Sequence, residues 1–334
     1  MDVLVEKPVF VFNGTDNFEP DYIVRDAQRL IDLSDGANAV SVMSLGRYHK
    51  IYNELIIDDI RELAIKYKTP ITSIHLRHAG GVWNLINEFD EREDHPYKYG
   101  YGMIMHGGYH YIDLVAQVLE INKSIIPTNM TLELVAFSAR PYDQNVRISG
   151  LINDIVVSKS NNLEKQTKEY GETDIAATFR LYETETEKTI TLGNIALEQT
   201  TPSIRKWSVL PTGIYNKNGR VSSVDFEVQL STLASDHVVC YDIPVTSDHN
   251  IDRIDACADV IKRRNANIIP DVDFVSYKKY TGLFHSDSNK KLMEEWILGN
   301  ENKSALKKHS IVIKLMYLLS MASKREGEVF KIDI

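Results

Sequence analysis

The chain has 334 residues, 43% of them hydrophobic and 25% charged, which is ordinary globular material with length for a sizeable core and more than one domain. Its 38 Lys and Arg against 47 Asp and Glu leave a net charge of -9, with no basic block and no interleaving of basic with aromatic residues, so a nucleic-acid partner is disfavoured. Only Cys240 and Cys257 are present, too few for a disulfide framework or a four-cysteine zinc site, which suits a reducing cytoplasmic setting.

The opening decapeptide MDVLVEKPVF lacks the basic segment and long apolar run of a secretory signal. Its apolar run, Val3 to Val5, reads as a buried parallel strand that runs out at Glu6, Lys7 and Pro8, the end at which open α/β sheets place ligands. After a loop, Asp21 can cap a helix to about Leu33, with Ile23, Ala27, Leu30 and Ile31 on one face and Asp35-Gly36 to end it. Residues Asn38 to Ser44 read as a second buried strand, followed by Arg47 and a helix from about Ile51 to Tyr67. Strand, helix, strand and helix make a parallel βαβα unit. Pro70 breaks the pattern, which places a domain boundary near Lys68 and divides the chain into residues 1–69 and 70–334.

The next strand, Ile71 to His78, puts His75 and Arg77 on one face and Ile74 and Leu76 on the other. A polar and aromatic segment with Trp83, Asn84 and an acidic run follows. Beyond it, His106 and His110 flank Gly107-Gly108 and a helix begins, with Ile112, Val115, Val118 and Leu119 at helical spacing. A glycine turn feeding a helix lets backbone approach a ligand, and a histidine there can act as general acid or base near neutrality.

From about Thr131 the texture is β. Runs at Thr131–Ala139, Asp174–Tyr182, Thr189–Thr200, Val221–Thr232 and Val238–Val245, with a turn signal at Asn216 to Gly219, predict a mainly antiparallel sheet. Two helices, from about Ser288 to Leu298 and Ser304 to Ser323, and a strand Val329 to Ile332 close the chain. The apolar stretch Ile311 to Ala322 is interrupted by Lys314 and is too short to span a bilayer.

Taken together, these pieces resemble the Gfo/Idh/MocA oxidoreductases, which include glucose-fructose oxidoreductase and inositol dehydrogenase. Val3 to Pro8 is similar to that family's Glu-Lys-Pro motif at the end of the fifth strand of its dinucleotide-binding fold. Gly107 to Leu114 is similar to its histidine motif, Glu172 to Phe179 to one of its sheet strands, and Gly327 to Ile332 with the helix before it to its ending. The resemblance implies the C-terminal part of a Rossmann-like parallel sheet, then a larger α+β domain whose open-faced sheet carries helices on one side and pairs with another copy. It also implies NAD or NADP as cofactor, met by Glu6, Lys7 and Pro8, and a sugar or polyol substrate.

In that reading Lys7 hydrogen-bonds the substrate oxygen that changes oxidation state, and His110 exchanges its proton. Arg77, Trp83, Asn84 and Tyr109 are candidate substrate contacts. Two departures stand out. Where the family usually has an aspartate four residues before the histidine, this chain has His106, a third catalytic candidate that can relay a proton but cannot act as a carboxylate. In addition, no Gly-x-Gly-x-x-Gly follows a strand, so the expectation is a chain lacking most of the dinucleotide-binding half.

Two other functions compete: an assembly protein that uses the sheet without a cofactor, and a metal enzyme built on His106 and His110.

Overall fold

The computed structural model describes residues 3–7, 9, 19–34, 40–81, 84, 86–93, 96–147, 170–203, 221–247, 250–299 and 302–334. Strand β1 (Val3–Glu6) pairs in parallel with β2 (Val40–Met43), Val3 opposite Val40, and helix α1 (Asp21–Ser34) lies between them in sequence. Asp21 stands in the first turn of α1, where exposed amides favour negative charge. One turn apart, Ile23 and Ala27 are buried on the face that meets the core. The βαβ unit is therefore as the periodicity predicts, with one correction. Among the described residues β1 has only β2 as sheet neighbour, and Val3 is 38% exposed, because a strand with a single neighbour leaves an edge to solvent.

The helix expected from Ile51 to Tyr67 is two pieces, a π-helical segment at Lys50–Ile57 running into α2 (Asp58–Tyr67). Lys68 ends it in the left-handed conformation, and Pro70 follows two residues on.

The chain then enters the large sheet at β3 (Ser73–Ala79). Eight further strands complete it: β4 (Met130–Ala139), β5 (Asp174–Glu183), β6 (Thr189–Glu198), β7 (Ser223–Leu230), β8 (Ala234–Ser247), β9 (Asn250–Arg264), β10 (Val275–Leu283) and β11 (Phe330–Asp333). Their order is β10-β9-β8-β7-β3-β6-β5-β4-β11. All pairings are antiparallel except that of β3 with β6. The longer helices of this part are α3 (Tyr109–Lys123), α4 (His285–Ile297) and α5 (Ser310–Lys324), and a 3-10 turn, Leu306–His309, stands where α5 was expected to begin.

The sequence pattern gives no sign of β9 and β10. Asp, Ala, Lys and Arg fill most of β9, and β10, with Lys278, Lys279 and Gly282, is an edge strand exposed along most of its length. The turn signal at 216–219 lies outside the described residues.

One connected core runs from Ile23 and Val42 through Ile74, Ile112 and Leu119 to Leu132, Phe226 and Leu319, so the small and large sheets share it. At its centre α3 is buried nearly all round, Asp113, Gln117 and Asn122 included, because it is packed against both the sheet and α5. A helix in that position needs its polar groups answered from within the protein.

Candidate functional site

The stretch before α3 is a tight π-helical turn, Ile104–Gly108, closed by a bond from Gly108 N to Met103 O of 2.9 Å. His106 interrupts it with φ -80 and ψ -106, off the helical path. A side chain at Gly108 would stand 2.5 Å from Met103 O and 2.7 Å from Leu197 Cδ1, so only glycine fits. Single π turns of this kind are found disproportionately at functional sites.

The turn aims the main-chain oxygen of His106 outward, and the Lys7 ammonium donates to it at 2.7 Å. The strand-end motif and the histidine motif, 99 positions apart in sequence, thereby meet. The His106 ring is buried and lies edge-on to Tyr97, centroids 4.8 Å apart. His110 follows in the first turn of α3, half-buried. The structure thus assembles Lys7 with the segment that carries His106 and His110.

The remaining predicted site residues are dispersed. Glu6 is exposed at the end of β1. Tyr109 is committed to the core, with its hydroxyl 2.9 Å from His309 Nδ1. Arg77 faces away from α3: its neighbour His78 stacks on Tyr111 of that helix at 3.8 Å, while Arg77 points to the opposite side of the sheet and pairs with Glu198 at 2.6 Å. Asn84 is buried and accepts from Arg92 Nη1 at 2.7 Å. Pro8 and Trp83 lie outside the described residues. His75 and His78 point to opposite faces of β3, and among the described residues no three His, Cys, Asp or Glu stand close enough to hold a metal ion.

What braces α3 is a buried polar network that only the fold assembles. Asp113, fully buried, accepts from Ser44 Oγ at 2.6 Å and from Arg47 Nη2 and Nε at 2.7 and 2.9 Å, which ties α3 to the turn after β2. Arg47 also donates to the Lys303 and Lys308 carbonyls at 2.9 Å each. These cationic and hydroxyl donors hold the Asp113 carboxyl below its usual range against the opposing effect of burial.

His309 completes the network, and its tautomer follows from its neighbours. Ser304 Oγ gives its proton to the Val42 carbonyl, so it accepts from His309 Nε2 at 3.1 Å, and Nδ1 accepts from the Tyr109 hydroxyl. Burial, with Arg47 close by, lowers the His309 pKa to about 3. It is a neutral structural histidine, reached by no motif in the sequence.

No protein-family model and no curated protein matches the sequence. Solved structures match its fold. An oxidoreductase domain protein from Kribbella flavida aligns at TM-score 0.54 and 11% identity, over 99% of this chain and 74% of that one. An aldose-aldose oxidoreductase from Caulobacter crescentus, complexed with glycerol, aligns at TM-score 0.50 and 10% identity, over 99% and 72%. The chain has the fold of the Gfo/Idh/MocA-type oxidoreductases, as its two motifs imply. Among the described residues no helix is long and apolar enough to cross a membrane.

Proposed function

We propose that this chain is the substrate-facing part of an NAD(P)-dependent oxidoreductase acting on a sugar, a polyol or a sugar derivative. The observation that carries this reading is the Lys7–His106 hydrogen bond, which joins the two motifs a dehydrogenase of this fold would need side by side. Lys7 is poised on a neutral acceptor, the carbonyl oxygen of His106. A substrate oxygen that gains negative charge during oxidation would compete for the same ammonium and be stabilised by it. His110, on the first turn of α3, would take or return the hydroxyl proton, and His106 would relay it.

A nicotinamide cofactor supplies hydride transfer when bound. Glu6, Lys7 and Pro8 would hold its nicotinamide end, a role that the placement of Lys7 supports. The described residues contain no glycine-rich turn for the pyrophosphate, so tight binding calls for the rest of the dinucleotide fold, and the division into residues 1–69 and 70–334 belongs to the same proposal. Of the four predicted substrate contacts, Asn84 and Trp83 remain with this proposal. A cytoplasmic location accompanies it.

The test is calorimetric titration of the chain with NAD(H) and NADP(H), with Lys7→Ala as control, followed by a polyol panel using a form extended upstream. Saturable binding lost in the control supports the reading. It fails if the extended form neither binds a nicotinamide dinucleotide nor oxidises any polyol.

A second reading rests on the sheet face opposite α3, where Phe137 is 63% and Leu192 57% exposed. Apolar side chains there support a homo-oligomer, with or without catalysis. A strictly monomeric mass across a wide concentration range would dispose of it.

A further inference from the structure

Glu172 stands just before β5, and two features of the chain bring it onto the candidate site. First, the segments at 101–103 and 170–172 cross at van der Waals contact. A Cβ on Gly102 would lie 2.3 Å from the Glu172 main-chain N and O, and one on Gly171 would lie 2.2 Å from Gly102 N, so both crossing positions must be glycine. Second, Glu172 uses that proximity twice. Its main-chain oxygen accepts from Met103 N at 2.8 Å, and its carboxylate accepts from Ile104 N, also at 2.8 Å. The amides at the start of a helical turn have no partner within the turn, and here one glutamate answers two in succession.

The carboxylate is only 5% exposed, and burial raises its pKa while the Ile104 amide and Arg140 oppose the rise. Desolvating a carboxylate costs free energy, and a charge-assisted hydrogen bond offsets part of it. The costly group is thus spent on the first residue of the π turn whose third residue, His106, presents its carbonyl to Lys7.

We propose that Glu172 is a positioning residue for this site: by clamping Met103 and Ile104 it fixes the His106 carbonyl against Lys7. The proposal rests on reading the Lys7–His106 contact as the site, but it requires neither cofactor nor turnover.

The experiment uses the whole chain labelled with nitrogen-15 at lysine. A hydrogen-bonded ammonium exchanges its protons slowly and gives an observable signal at low temperature, and Lys7→Ala assigns it. Glu172→Gln keeps an oxygen for Ile104 N, whereas Glu172→Ala removes it. The expected result is a Lys7 signal kept in place by Gln and lost or displaced beyond its linewidth by Ala. Should Ala not fold, Glu172→Asp, one methylene shorter, takes its place with the same expectation.

A purely structural role would lower the melting temperature and leave the Lys7 signal where it is. That outcome in a folded variant overturns the proposal, as does a Gln variant that displaces the signal as far as Ala, or a wild-type chain with no such signal. Failure to bind nicotinamide dinucleotides would sink the oxidoreductase reading without moving any of these signals, so the two can fail separately.

Discussion

Arg47 grips both carboxylate oxygens of Asp113, the nearest contact 2.7 Å, in a place where Asp113 is fully buried and Arg47 only 6% exposed. The pair fastens the turn after β2 to the central helix α3, so the small sheet is joined to the helix packed on the large sheet by a charged contact as well as by apolar packing. Removing one partner of such a pair leaves the other as an uncompensated buried charge, which typically costs about 3–5 kcal/mol. Arg47→Ala should lose that much in urea unfolding. Lysine lacks the planar fork, so Arg47→Lys should recover only part of the loss. A loss below about 1 kcal/mol in Arg47→Ala would show the pair to be dispensable.

His309 makes the fold sensitive to acid. Its folded pKa of about 3 lies below the value near 6.5 of an exposed histidine, so between these values the unfolded chain binds the extra proton. The stability it contributes is complete above pH 6.5 and is lost as pH falls toward 3. At pH 5 the loss from this residue should be about 2 kcal/mol relative to pH 7.5. His309→Gln should remove that part of the pH dependence, read from urea midpoints at the two pH values. An unchanged slope would mean that His309 titrates normally.

Asp236 acts in the opposite sense. It is fully buried where β8 and β9 face α2, with Arg264 at 2.6 Å, Lys262 at 3.5 Å and Asp59, which binds both cations, beside it. Burial raises its pKa to about 7, against the pull of the two cations. The folded state therefore holds a proton that the unfolded state releases near pH 4, and the contribution present below that pH is lost as pH rises through 7. Asp236→Asn should give a stability curve that climbs more steeply from pH 5 to 8 than that of wild type. Because the two residues oppose each other, wild type should be flatter over this range than either variant. The idea is sunk if the two variants change slope in the same direction.

Gly108→Ala would place a methyl carbon 2.5 Å from Met103 O, across the bond that closes the π turn. Relief requires the turn to open, at a cost of about 1–3 kcal/mol. The same change should displace the Lys7 ammonium signal, since His106 lies within the turn. A folded Gly108→Ala protein with wild-type stability would show that the turn has slack that its geometry does not suggest.

The elements that the sequence announces are those whose side chains follow one period. Strands β4 to β8 alternate, α1 shows a clean stripe, and Val3 to Lys7 and His106 to His110 are short motifs with a fixed internal order. What stays hidden depends on partners. Strand β9 carries Lys262 and Arg264 on a face that looks soluble in one dimension and is buried against Asp59 and Asp236 in three. Arg47 and Asp113 can each be noted along the sequence, but nothing local says that they meet across 66 positions. His309 gives no signal at all, because its neutrality is set by Tyr109, Ser304 and Arg47, which arrive from three separate segments. Arg77 shows the opposite error: its period-two placement is right, yet the face it occupies turns away from α3.

The insertion of β3 between β6 and β7 fixes the order in which the sheet can be made. β3 leaves the ribosome early, but its second neighbour is complete only at Leu230, about 150 residues later. At a synthesis rate of roughly 5–20 residues per second, Ile74 and Leu76 wait on the order of ten to thirty seconds without a partner on that side. Those two side chains end up fully enclosed, so in a newborn chain they form a sticky segment that must be kept from pairing elsewhere. Refolding of the complete chain is free of that synthesis delay, but it too has to close β3 against β7 across about 150 residues, a non-local pairing of the kind that slows folding.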